Sequence, residues 1–236
     1  MPYRRLPNTD AARLRALKIA FEKGKELPPF KLAFSQATLQ KIQSFLSAFE
    51  KAMQESRQAY AKQVEKSKEY AAVVKKARLY ISHFIQVINM AIARGDLPAS
   101  ERKYYGLQDN GNKLPLFNTE ADLIKWGEKL LHGDTIRSME ARAPITNPTI
   151  AVVKVRYEKF LEAYKFQKML QKNFQRTQER LEELRLRANT IIVDIWDEVE
   201  ASYKAEPDEK RREKASQYGI IYVFRKSELI KPAEVN

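Results

Sequence analysis

The chain has 236 residues, of which 31% are charged and 44% apolar, and a net charge of +13. It contains no cysteine, which excludes disulfides, thiolate metal sites and cysteine nucleophiles. No apolar run approaches the roughly 18 residues of a bilayer span and no N-terminal apolar segment follows the start, so no membrane segment and a cytoplasmic location are expected.

In chain order, residues 1–34 read as the N-terminal helix of a base lobe. "TDAARLRALKIAFEKG" has Leu14, Leu17 and Phe21 on one face. "FKLAF" at 30–34 alternates like a short strand.

Residues 35–94 contain no glycine or proline and read as one long helix. Ser35 is the expected N-cap and Gly95 the expected stop. Its apolar seam is predicted through Leu39, Ile42, Leu46, Phe49, Met53, Ser56 and Tyr60. An extra step of four then leads to Val64, Ser67, Ala71, Val74, Arg78, Ile81, Ile85, Ile88 and Ile92. Residues 1–94 hold 18 Lys and Arg against 7 Asp and Glu, so Lys62, Lys66, Lys68, Lys75 and Lys76 are candidate polyanion contacts. The segment "ARLYISHFIQVINMAI" carries His83. No second ligand or orienting partner stands at helical spacing from it, so it reads as a packed or boundary residue.

Residues 95–147 read as a tip lobe. "DNGN" at 109–112 is a turn signal. A helix is predicted from Thr119, whose pairing with Asp122 resembles a capping box, to His132, with Gly133 as a left-handed cap. Leu123, Trp126, Leu130 and Leu131 form its apolar side and should cover the wide stripe around Phe84 and Ile85.

Residues 148–204 read as a second long helix, with Asn147 as N-cap. A 3-4 seam runs through Ile150, Val153, Tyr157, Phe160, Tyr164, Gln167, Gln171, Phe174, Gln178, Leu181, Arg185, Ala188, Ile192, Ile195 and Val199. Its acidic end holds Asp194, Asp197, Glu198 and Glu200, and is expected to meet Arg4, Arg5, Arg13 or Arg15 near Phe45 and Trp196. Residues 205–236 read as a short helix and a strand, "GIIYVFRK", which is expected to pair with "FKLAF". The fold class is therefore all-α: a long antiparallel, coiled-coil-like hairpin with a polar neck, small helical lobes at both ends and a possible two-stranded β element.

"PYRRLPNTDAARLRALK", "ARLYISHFIQVINMAI" and "ITNPTIAVVKVRYEKF", with "WDEVEASY" and "YGIIYVFRK", resemble a group of uncharacterised helical proteins from Bacteroidetes. The resemblance covers most of the chain and implies a helical fold, with no activity, cofactor or functional residue attached.

No phosphate-binding glycine loop, nucleophile elbow or calcium loop occurs, and the sequence implies no catalytic residue, cofactor or metal. The favoured expectation is a non-enzymatic structural or protein-interaction protein. It would bind itself or another protein, with Tyr60, Tyr70, Tyr157 and Tyr164 as candidate interface residues. The alternative is a nucleic-acid-associated protein using the basic surface of residues 1–94.

Overall fold

A computed structural model describes residues 2–107 and 111–225. The helices are α1 (Asp10–Glu26), α2 (Gln36–Ala93), α3 (Glu120–Met139), α4 (Ile150–Ser202) and α5 (Asp208–Ser216). Two-residue strands β1 (Tyr3–Arg4) and β2 (Tyr222–Val223) form one antiparallel ladder, with Tyr3 opposite Val223 and Arg4 opposite Tyr222. Short 3₁₀ turns cover Pro29–Lys31 and Ala99–Tyr105. The fold is all-α, with α2 and α4 packed against each other. The chain divides into two compact units: Met1–Ala59 with Phe174–Asn236, and Tyr60–Asn173.

The first unit has its own core. Leu17 and Ala20 of α1 pack with Ile42, Phe45 and Phe49 of α2, Ile192 and Trp196 of α4, and Ala215 and Tyr218 near the C-terminal end. The Thr9 side chain caps α1 by accepting from the Ala12 N–H. Ser35 caps α2, its hydroxyl accepting from the Thr38 N–H at 3.2 Å. The predicted polar seam persists at Ser56, which is buried and accepts from Gln178 Nε2 at 2.5 Å.

The strand partner differs from the sequence reading. β2 pairs with β1, not with 30–34, and the Arg5 N–H extends the ladder by donating to Ile221 O at 2.9 Å. Pro28 and Pro29 precede "FKLAF", and Pro29 opens the 3₁₀ turn there, where a missing N–H costs nothing. Phe34 enters the core edge-on to Tyr218, while Phe30 is left in solvent.

The second unit buries Ile81, Phe84, Ile85 and Ile88 of α2 under Leu123, Trp126 and Leu130 of α3, with Val153, Tyr157 and Phe160 of α4. Thr119 and Asp122 form the capping box at the start of α3. α3 does not end at His132; it continues to Met139. Gly133 is a point of close approach and not a left-handed cap: a Cβ there would stand 2.3 Å from the Tyr104 carbonyl oxygen. α4 begins at Ile150, with the Thr149 carbonyl accepting from Val152 and Val153. Asn147 has φ +53°, outside the extended region of an N-cap, so the helix starts later than its predicted Pro148. Asp109 and Asn110 of the predicted turn lie outside the described residues; Gly111, at φ +54°, is described.

The α2 seam also changes register. Ala59 and Ala77 are buried and Gln63, Lys66, Tyr70 and Val73 half-buried, whereas Tyr60, Val64, Ser67, Ala71 and Arg78 are exposed. The extra step of four thus falls between Ala77 and Ile81. On α4, Leu170 takes the place predicted for Gln171.

Candidate functional site

The acidic end of α4 is used to hold the first unit together. Arg4 reaches Asp197 at 2.6 Å and Glu200 at 3.5 Å, as expected of the N-terminal arm. Tyr222 donates to Glu200 at 2.6 Å, which ties β2 to the same turn. Glu198 accepts from the Ser35 N–H and from the Thr38 hydroxyl, each at 2.5 Å. It supplies from α4 the acid that a capping box would place in α2 itself. Burial alone would raise the Glu198 pKa, but these donors outweigh it and hold the carboxyl below its ordinary value.

Arg185, on the predicted seam, turns its guanidinium to Asp10 in a bidentate pair at 2.8 Å to both oxygens. That hydrogen bond, above all, lowers the Asp10 pKa. Arg13 donates to Asn189 at 2.9 Å. These groups are engaged with structural partners inside the first unit.

The second unit contains a polar core that sequence reasoning missed. Glu101 and Arg137 are each only 2% exposed and meet at 2.6 Å. Arg137 also donates to the Tyr105 hydroxyl at 3.3 Å and to the Ala143 carbonyl at 3.1 Å. Tyr105 donates to Asp134 at 3.1 Å. Desolvation works against the charged guanidinium, but the Glu101 hydrogen bond prevails and its pKa is raised. Desolvation raises that of Tyr105 as well. Arg137 has all three nitrogens engaged, so the network is satisfied within the fold.

His83 and His132 are both solvent-exposed. Among the described residues, no group of three or more His, Asp or Glu is arranged to hold a metal ion. No helix among them is long and apolar enough to cross a membrane.

The predicted interface tyrosines separate. Tyr157 is buried, donates to the Ile124 carbonyl at 3.1 Å and belongs to the core. Burial pushes its pKa up to about 12. Tyr70 is half-buried and donates to Glu120 at 2.7 Å. Tyr164 is half-buried against Phe160, and Tyr60 is 56% exposed. Of the candidate polyanion contacts, Lys62, Lys68, Lys75 and Lys76 are exposed on α2, while Lys66 is half-buried and bound to Glu69 at 2.8 Å.

A different face stands out on α4. Val152 is 40%, Val155 48%, Phe166 40% and Met169 55% exposed. With Lys159 and Glu162 they occupy successive 3-4 positions, a second stripe distinct from the buried one of Val153, Tyr157, Phe160 and Gln167. At 100° per residue this stripe points almost directly away from the core face. The sequence signal was present but masked by Lys159 and Glu162, which interrupt the apolar run.

Comparisons of the chain with protein-family models, curated proteins and solved structures gave no match.

Proposed function

We propose that this is a non-enzymatic, protein-interaction protein that works through an outward face of its long helices. The observation that carries the reading is the α4 stripe: four large apolar side chains at coiled-coil spacing, each 40–55% exposed. One exposed apolar residue is ordinary on a protein surface; a row at seam spacing is the pattern that a partner helix covers. The nucleic-acid alternative draws on Lys62, Lys68, Lys75 and Lys76, but Glu65 and Glu69 interleave them and Glu69 neutralises Lys66.

A photoreactive residue placed at Phe166, and separately at Lys68, distinguishes the two readings in cells producing the full chain. Protein adducts from position 166 are the expected result. Nucleic-acid adducts from position 68, with none to protein from position 166, would overturn the reading in favour of the alternative.

A further inference from the structure

Resting on that reading, we propose that the stripe's occupant is the same stripe on a second copy of this chain, the two α4 segments lying antiparallel about a twofold axis. The argument is self-complementarity. Residues 152 and 169, 155 and 166, and 159 and 162 are equidistant from the point between Phe160 and Leu161. A twofold axis there sets Val152 against the second copy's Met169, Val155 against its Phe166, and Lys159 against its Glu162. Apolar meets apolar and base meets acid at every layer, each twice.

The flanking positions agree. Glu158 and Lys165 lie on one edge of the stripe, and the same axis brings each near the second copy's Lys165 or Glu158, offset by two residues or about 3 Å along the helix. Lys159 and Glu162 are exposed and have no ion-pair or hydrogen-bond partner among the described residues, so both charges remain for the second copy. Beyond Val152 the matching positions fall before Ile150, where the helix begins. The complementary stretch therefore fills the available helix, about 26 Å at 1.5 Å per residue. A parallel arrangement would oppose Lys159 to Lys159 and Glu162 to Glu162, and is disfavoured by like charge. A contact this short lies at the small end of specific interfaces, and dissociation in the range of about 1–100 µM is expected.

Two variants of the full chain test the register. Lys159→Glu and Glu162→Lys each set like charges against each other twice, and each should weaken association about tenfold or more in sedimentation equilibrium. Mixed in equal amounts they should associate again, because every introduced acid then faces an introduced base. Since the protein has no cysteine, V155C and F166C give clean disulfide traps. The mixture should cross-link and neither variant alone should. Association indifferent to both reversals, or a homodisulfide from V155C alone, overturns the antiparallel register. A wild-type chain that stays at 27.5 kDa while position 166 still yields protein adducts overturns self-pairing and leaves the interaction reading standing. Loss of both removes the two together.

Discussion

The two compact units solve the placement of charge in opposite ways. The first keeps its ion pairs at the margin: Arg4 with Asp197 and Arg185 with Asp10 stay partly in water around an apolar core of Leu17, Phe49 and Trp196. The second takes Glu101 and Arg137 into its interior, under 3% exposed, and surrounds them with Tyr105 and Asp134. Marginal pairs orient elements at little cost and little gain. An interior pair ties the 3₁₀ turn Ala99–Tyr105 to α3, and makes each partner indispensable to the other once both are out of water.

That contrast can be broken by substitution. Arg137→Ala leaves buried Glu101 with only the half-exposed Arg142, 3.6 Å from its other oxygen, and should destabilise the second unit by about 3 kcal/mol in urea unfolding. Replacing both partners with leucine and methionine should recover much of that loss. Gly133→Ala tests the packing that surrounds the pair. Its Cβ would meet backbone, the Tyr104 carbonyl, which cannot rotate aside, so a loss of about 1–3 kcal/mol is expected.

In the first unit the effects should be smaller and depend on pH. Asp10 has its pKa lowered from an ordinary 3.8 by Arg185. A depressed carboxylate contributes stability above its unfolded value, and that contribution disappears as pH falls through the folded value. Asp10→Asn should therefore cost on the order of 1 kcal/mol at neutral pH, with the gap to wild type closing below about pH 4 in acid titrations of stability. Arg4→Ala should change thermal stability by only about 0–1 kcal/mol, because its partner Asp197 is itself more than half exposed.

Much of the fold was legible in the residues. Glycine and proline are absent from 30–94, and with Ser35 as the N-cap and Gly95 as the stop this delimits α2 to within a residue or two. Thr119 and Asp122 announced α3, and Arg4 found its acidic partners. The misses have physical causes. α2 offers two 3-4 stripes one residue apart, and hydropathy favours Tyr60 and Val64 over the small Ala59 and polar Gln63. The buried stripe is the latter, with Ala59 buried and Gln63 half-buried while Tyr60 and Val64 are exposed. Gly133 and "FKLAF" each carried a local signal that tertiary contact overrode. Glu101 and Arg137 stand 36 residues apart, and nothing local marks either as interior. The predicted α4 seam already ran through Val153, Tyr157 and Phe160; what the residues do not show is that the second stripe of Val152, Val155, Phe166 and Met169 stays exposed.

The central claim is that this second face exists for association and not for folding. Light scattering of wild type and Phe166→Asp from about 1 to 200 µM, with a thermal melt of each, tests it most directly. The account predicts that the wild-type mass rises from 27.5 kDa toward twice that value while the variant stays monomeric, and that dilute melting temperatures agree within a few degrees. A wild type held at 27.5 kDa throughout, or a variant that unfolds, would contradict it.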